Sequence, residues 1–333
     1  MAQVAVLGAG GWGIGLALTA RRIGHRVTLW SPFEEEIREI RRFGEHRRLL
    51  PGVEVPPTIP LTSDIACVSG ADLVIVAVPS MAVGETAERM RPYVQEGQLI
   101  ACAAKGLEKG THRRLSEVLT AALPACRVVV LSGPSHAEEV ARGIPTSIVS
   151  ASTDPSAAVE VQELLMDAGF RIYVNEDVIG VELGGALKNA IALAAGICDG
   201  MNMGDNTKAA LMTRGLAEIA RLGVAMGARA DTFAGLSGMG DLIVTCGSHH
   251  SRNHRAGVLM GQGVDPAQAV AAVGTVEGYH VIATACELAR EYGVELPIVE
   301  QLHRLCYCGA PAAEALRTLL ARPGCAETDR AWM

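Results

Sequence analysis

The hydrophobic and polar positions divide the chain into two stretches of different period. Up to about residue 175, short apolar runs rich in β-branched residues alternate with amphipathic segments of helical period, the order expected of a parallel sheet with crossover helices. Residues 4–7, 26–30, 73–78, 99–103, 128–131 and 146–150 read as strands, and 170–174 as a last one. Residues 13–23, 34–43, 81–91, 113–122 and 156–168 read as helices. Beyond about residue 178 the strand pattern disappears. Residues 180–196, 208–226, 266–273, 281–292, 297–305 and 312–321 are rich in Ala, Leu and Gly and read as helices.

The first apolar run ends in Gly8-Ala-Gly-Gly-Trp-Gly13, which gives Gly8, Gly10 and Gly13 the G-x-G-x-x-G spacing after a strand and at the head of a helix. In that context the first glycine permits a sharp turn, the second lets a pyrophosphate approach the backbone, and the third lets helix and sheet pack closely. A plain strand-to-helix turn is the alternative. The loop and the alternation together predict a Rossmann-type N-terminal α/β domain with a parallel sheet over residues 1–178. An all-α domain over 179–325 and a polar tail over 326–333 follow. The second strand ends Leu29-Trp30-Ser31-Pro32, with neither the acid that binds the NAD ribose nor an arginine suited to NADP. Glu34, Glu35 and Glu36 come later and read as a charged helix start, while Arg38, Arg41 and Arg42 fit either a 2′-phosphate or a solvated face. Both NAD and NADP stay open.

Four further segments carry candidate chemistry. Lys188 lies in a Gly- and Ala-rich helix where its neighbours at i±3 and i±4 are Gly184, Gly185, Ile191 and Ala192. No carboxylate shares its face, so an unpaired ammonium there is pushed towards neutrality and becomes a proton donor and acceptor; a lysine snorkelling out of the helix is the alternative. Lys105 and the turn Ser132-Gly-Pro-Ser-His136 each follow a strand, at the sheet edge where open α/β folds bind ligands. Asp241 follows the glycine-dense 235–240 loop, and ten residues on Ser251-Arg252-Asn253 offers a guanidinium fork, a hydroxyl and an amide to a phosphate. His249, His250 and His254 lack metal-ligand spacing and read as soluble loop residues, so no metal is expected. The acid pair Glu138-Glu139 reads as a solvated helical face.

Composition narrows the classes. The 333 residues are 49% apolar and carry 37 glycines against four Phe, three Trp and five Tyr, which favours turns and small-residue helix packing. A net charge of −7 lacks the basic excess of a nucleic-acid-coating protein, so an anionic ligand needs a local site. Nine cysteines without a C-x-x-C pair, and a chain that opens on a strand, suit a reducing cytoplasm. The run 178–198 is the nearest to a membrane span, yet it holds Glu182, Lys188 and Asn189 and reads as a buried helix. No stable membrane insertion is expected, and the abundant apolar helices suggest a homodimer.

Gly8-Ala-Gly-Gly-Trp-Gly13, Lys105-Gly-Leu107, Ser132-Gly-Pro134, Leu183-Gly-Gly-Ala-Leu-Lys-Asn189, Thr213-Arg-Gly-Leu216, Gly240-Asp-Leu242, Ser251-Arg-Asn253 and Val276-Glu-Gly278 occur in this order from about residue 3 to about 321. In them the chain resembles the bacterial NAD(P)-dependent glycerol-3-phosphate dehydrogenases. The resemblance implies reversible reduction of glycerone phosphate to sn-glycerol 3-phosphate for phospholipid synthesis, with Lys188 as proton acceptor. It further implies that Lys105, Gly133, Ser135, Lys188, Asp241, Ser251, Arg252 and Asn253 contact a small phosphorylated substrate, with Asp241 either orienting Lys188 or binding a substrate hydroxyl. Gly8, Gly10, Gly11, Trp12, Gly13, Lys105, Ala137, Arg252, Val276 and Glu277 would hold the dinucleotide. Gly11 stands where the family usually has Ser, and Pro32 where many members carry Arg or His. Another β-hydroxyacid-type dehydrogenase and a non-catalytic dinucleotide sensor are the alternatives.

Overall fold

The computed structural model describes residues 1–324, Ala326 and Glu327; Cys325 and 328–333, most of the expected tail, lie outside the described residues. The chain divides into two compact units, one formed by Met1–Glu108 with Arg113–Val178, the other by Lys109–His112 with the chain from Ile179 onward.

The first unit holds eight strands: β1 (Gln3–Leu7), β2 (Arg26–Trp30), β3 (Leu61–Thr62), β4 (Leu73–Val76), β5 (Leu99–Cys102), β6 (Arg127–Ser132), β7 (Thr146–Ala151) and β8 (Phe170–Asn175). They form one sheet in the order β3-β2-β1-β4-β5-β6-β7-β8. Six helices accompany them: α1 (Gly11–Ile23), α2 (Glu34–Phe43), α3 (Val83–Met90), α4 (Leu115–Ala122), α5 (Ala137–Ala141) and α6 (Pro155–Leu165). Strand order reverses between β1 and β4, which flank one another in parallel, and this makes a switch point at their carboxyl ends. The central strands are apolar on both faces because both faces are covered. Val4, Val6 and Leu29 enter one core with Ile14, Leu16, Val161 and Leu165, whereas Ala5, Leu7 and Trp30 enter the other with Val83, Met90, Leu115 and Leu119.

The sheet is parallel except at one seam, where β6 runs antiparallel to β7 with Val130 opposite Ala151. Strand direction leaves no trace in a period-2 pattern, so the seam is invisible in the sequence. Strand β3 was not expected; at two residues it is too short for periodicity to register. The expected helix from residue 81 begins as a 3₁₀ turn over Ser80–Ala82 and becomes α-helical at Val83. Asp154 caps α6 by accepting from Ser156 N and Ala157 N, with Pro155 preset in its first turn.

The second unit is helical: α7 (Val178–Gly200), α8 (Asp205–Ala225), α9 (Ala230–Phe233), α10 (Asp241–Gly247), α11 (Arg252–Gly261), α12 (Pro266–Val273), α13 (Glu277–Tyr292), α14 (Pro297–Cys308) and α15 (Ala312–Leu320). The most apolar window of α7 passes for a membrane span by length and hydropathy, but 94% of it is buried inside the protein, which accounts for its composition. Small residues set its distance from its neighbours. A Cβ on Gly196 would lie 2.1 Å from the His254 carbonyl oxygen, and one on Gly257 2.1 Å from that of Leu193, so α7 and α11 touch backbone to backbone. Gly200 and Gly261 repeat the contact one turn on, at 2.3 Å from Val258 O and 2.4 Å from Ile197 O. The expected helices omitted α9, α10 and α11, segments of four, seven and ten residues set among glycine- and histidine-rich loops.

Candidate active site

In the first unit, β1 delivers the chain into the glycine loop. Gly8 adopts φ +120°, and a Cβ there would sit 2.7 Å from the Ala77 carbonyl oxygen. A Cβ on Gly13 would fall 1.8 Å from Gly8 O, so no other residue fits the turn. Gly10 caps α1 without a side chain, and the space at its Cβ position is open to 3.9 Å. The first turn of α1 thus presents backbone N–H groups and the positive end of its dipole at an unobstructed cradle, which fits a dinucleotide pyrophosphate. Gly11 is held close to Leu49 O and to the Ala137 methyl, at 3.0 and 3.4 Å from its missing Cβ. Trp12 Nε1 donates to Ala103 O at 3.1 Å, fixing the indole beside the end of β5.

Lys105, after β5, and the Gly133-Pro-Ser135 turn, after β6, are brought together as expected residues of one sheet edge. Lys105 Nζ donates to Gly133 O at 2.8 Å and to Ser135 Oγ at 3.2 Å. Gly133 has φ +126°, and Ile148 Cα lies only 3.1 Å from its Cβ position. Glu138 and Glu139 on α5 are half-buried rather than fully solvated.

At the end of β2 the structure revises the reading of Glu34–Glu36. Glu34 and Glu35 are exposed in the first turn of α2, but Glu36 folds back so that its Oε2 accepts from Ser31 Oγ. Its Oε1 lies 2.9 Å from His46 Nε2. Leu49 N donates to His46 Nδ1 at 3.3 Å, which leaves the ring proton on Nε2 to be donated to Glu36. Burial pushes the Glu36 carboxyl up, but the hydrogen bonds from His46 and Ser31, with the charge of Arg48, outweigh it and hold the group below its ordinary value. The α2 arginines point to other partners: Arg38 to Glu35, Arg41 to Leu61 O at 3.0 Å, and Arg42 to the Phe43 ring.

In the second unit the expectation of an unpaired Lys188 is corrected. Lys188 is 5% exposed, and its Nζ donates to Asp241 Oδ1 and Thr245 Oγ1, both at 2.6 Å. Thr245 in turn donates to the Asp241 carbonyl at 2.6 Å. The partners come from α10, far along the chain, where a search of the helix's own face cannot find them. Gly184 makes the meeting possible: a Cβ there would collide with Ser237 O at 2.7 Å, so the π-helical turn Leu236–Gly240 lies directly on α7 and sets Asp241 over Lys188. The space cleared by this glycine is filled by the turn. A buried ammonium with a carboxylate and a hydroxyl is charge-compensated and held at one orientation, the arrangement a proton-transfer group needs.

The neighbouring residues form a second network. Asn253 Nδ2 donates to Asn189 Oδ1 at 2.9 Å, and Asn253 Oδ1 accepts from Gly278 N at 2.8 Å, so this side chain ties α11 to both α7 and α13. Ser251 caps α11, accepting from His254 N at 3.2 Å, and Arg252 is the first residue of that helix, with its side chain exposed. Val276, buried, and Glu277, half-buried, open α13 beside Gly278. His254 is no soluble loop residue. It is 3% exposed, and its Nε2 pairs with Asp199 Oδ2 at 2.7 Å, while Lys208 donates to Oδ1 of the same carboxylate at 3.0 Å. Thr245, Asn189, His254 and Asp199 escaped the sequence reading because each works through a partner remote in the chain.

An apolar cavity of about 870 Å³ in the same unit, lined among others by Leu211, Glu218, Ile298, Leu302 and Leu316, contains none of the expected site residues. Glu218 accepts from Ile298 N at 2.8 Å and Val299 N at 3.3 Å, and burial raises its carboxyl to about 7.

A glycine-loop cradle at the switch point of an α/β unit, followed by a helical unit with a buried lysine–carboxylate pair, defines a two-unit dinucleotide-dependent dehydrogenase. The comparisons make the class particular. Residues 3–158 match the family model of the NAD-dependent glycerol-3-phosphate dehydrogenase N-terminus, and residues 177–317 that of its C-terminus. The chain belongs to the NAD-dependent glycerol-3-phosphate dehydrogenase family. It is 51% identical over 323 residues to the glycerol-3-phosphate dehydrogenase [NAD(P)+] of Desulfitobacterium hafniense, covering 97% of this chain and 92% of that one. The enzyme of the same name from Moorella thermoacetica is 51% identical, with 98% of each chain covered. The crystal structure of glycerol-3-phosphate dehydrogenase from Coxiella burnetii superposes with a TM-score of 0.92 at 39% identity, over 96% of this chain and 99% of that one. A ketopantoate reductase from Ralstonia eutropha, at 19% identity and a TM-score of 0.62, shares the fold alone.

Proposed function

We propose that the protein catalyses the reversible NAD(P)-linked reduction of glycerone phosphate to sn-glycerol 3-phosphate, the step that supplies the glycerol backbone of phospholipids. Family membership and the buried Lys188–Asp241–Thr245 cluster together support this reading, the cluster most directly. The dinucleotide, NAD or NADP, supplies the two-electron hydride chemistry. Gly8, Gly10, Gly11, Trp12 and Gly13 cradle its pyrophosphate, with Lys105, Ala137, Arg252, Val276 and Glu277 as further contacts. Lys188 Nζ takes the proton of the secondary alcohol in the oxidative direction and returns it to the carbonyl oxygen in reduction. Asp241 and Thr245 hold that ammonium in place. Arg252, with the α11 first turn capped by Ser251, clamps the substrate phosphate, and binding energy from this non-reacting group orients the reacting carbon. Lys105, Gly133 and Ser135 complete the substrate contacts. The commitment of both ends of the Asn253 amide makes it a support for that clamp as well as a contact.

We further propose a cytoplasmic homodimer; the eight described cysteines are free thiols, in keeping with a reducing compartment. Initial rates of glycerone phosphate with NADH and with NADPH, and of 3-hydroxyisobutyrate and 6-phosphogluconate with NAD+ and with NADP+, test the activity. Turnover of glycerone phosphate, and none of 3-hydroxyisobutyrate or 6-phosphogluconate, is the expected result. Turnover confined to a hydroxy acid overturns the substrate assignment, and dinucleotide binding with no turnover of any of them points to a sensor.

A further inference from the structure

We propose that Glu36 makes this chain selective for NADH over NADPH, by presenting a carboxylate at the strand end where a Rossmann-type fold takes the adenosine ribose. The inference rests on the dehydrogenase reading, because it needs a dinucleotide on the glycine loop.

Position comes first. The Trp30 carbonyl, last in β2, accepts from Gly8 N at 2.8 Å, so Ser31 lies one residue from the glycine loop. Glu36 is five residues further along the chain, yet the first turn of α2 returns its carboxylate to the Ser31 hydroxyl. In space, therefore, an acid stands at the end of β2, where such folds bind the ribose 2′-hydroxyl of NAD. The segment that holds it is closed on the same loop: His46 donates to Glu36, Leu49 N donates to His46, and Leu49 O lies 3.0 Å from the Cβ position of Gly11.

Chemistry comes second. Each carboxylate oxygen accepts from one named donor, Oε2 from Ser31 and Oε1 from His46, and an ionised carboxylate has about four acceptor sites in all. The acceptor capacity left suits the 2′- and 3′-hydroxyls of a ribose. The side chain keeps 21% of its surface exposed, so a ligand can reach it. A 2′-phosphate would instead place a dianion against this carboxylate and near Glu34 and Glu35, a like-charge contact that discriminates by repulsion. The cations that would offset it are turned elsewhere: Arg38 to Glu35, Arg41 to Leu61 O, and Arg42 and Arg47 to the Phe43 ring. Arg48 is exposed and acts on Glu36 through its charge, which makes it the residue to test alongside.

The experiment is calorimetric titration of the full chain with NADH and with NADPH in the absence of substrate. NADH is expected to bind at least about tenfold more tightly, with the gap narrowing as salt is added. In Glu36→Gln, at unchanged melting temperature, the ratio should fall to within about threefold, mainly because NADPH binds better. Arg48→Ala should leave the preference for NADH in place. Equal or tighter NADPH binding by the unmodified chain overturns the proposal without any variant, as does a ratio that Glu36→Gln leaves unchanged. Failure of both dinucleotides to bind overturns the dehydrogenase reading and this proposal with it.

Discussion

The two units build their candidate sites from different materials. In the first unit the cradle is backbone: the α1 first turn, Gly8 and Gly13, with side chains removed from the approach. In the second unit the site is side chain: Lys188, Asp241, Thr245, Asn189 and Asn253, linked across α7, α10, α11 and α13. A backbone site is specified by a short contiguous segment, because turn geometry is local. A side-chain site is specified by where helices cross, and its members come from positions 53 and 64 residues apart.

The sharpest way to separate the two is Lys188→Ala. Loss of the proton-transfer group should lower kcat about a thousandfold while the dissociation constants of NADH and NADPH stay near those of the unmodified protein. Because Asp241 is then buried without its ammonium, the melting temperature should fall too, and calorimetry reads that separately. Unchanged turnover breaks the assignment of chemistry to the second unit.

A matched pair of methyl insertions comes next. Gly13→Ala and Gly257→Ala each place a Cβ about 2 Å from a carbonyl oxygen and should each cost about 3 kcal/mol of stability or more, read in denaturant unfolding. Their functional signatures should differ. The first should weaken dinucleotide binding, and the second, by moving α11, should raise KM for the phosphorylated substrate.

Arg252→Ala should raise that KM by about 10- to 100-fold through loss of a charge-assisted contact, with a smaller change in kcat, measurable by steady-state kinetics. An unaltered KM removes its role as a clamp.

The smallest functional effect should come from Glu218, which belongs to neither site. Its folded carboxyl titrates near 7 against an ordinary value of 4.5, so the native state holds a proton that the unfolded chain has released. The stabilisation is fully present below about pH 4.5 and is lost as pH rises towards 7, by on the order of 3 kcal/mol. Melting temperature against pH should fall less steeply across that window in Glu218→Gln, with activity at fixed pH little changed.

The same contrast explains what was legible in the sequence. Strands β1, β2 and β4 to β8, and the helices between them apart from the five-residue α5, follow from period and turn chemistry, and Gly8-x-Gly10-x-x-Gly13 announces its job because its turn lies within six residues. The antiparallel β6–β7 seam and the two-residue β3 do not, since direction and very short pairing leave no periodic mark. Lys188, Asp241 and Arg252 stand out as polar residues in apolar or glycine-dense surroundings, but the hydroxyl and amide groups that complete the networks do not. Asp241 is open in the sequence between orienting Lys188 and binding a substrate hydroxyl, His254 reads as a loop residue, and Thr245 gives no signal, being one threonine in an apolar stretch. Glu36 lies too far past β2 in sequence to read as a ribose ligand, a distance that one turn of helix cancels.

The backbone-to-backbone contact between α7 and α11 bears on how this protein can change. Two helices separated by a layer of side chains can drift by tenths of an ångström as that layer repacks, and a lineage can exploit the drift to retune a ligand site. Gly196, Gly200, Gly257 and Gly261 leave no such layer. The axis that carries Arg252 is therefore fixed to the axis that carries Lys188, and one added methyl cannot be absorbed by a change of rotamer. Side chains can vary freely at the exposed head of α11, where Arg252 stands, while the spacing between the helix that carries the lysine and the helix that carries the arginine stays fixed.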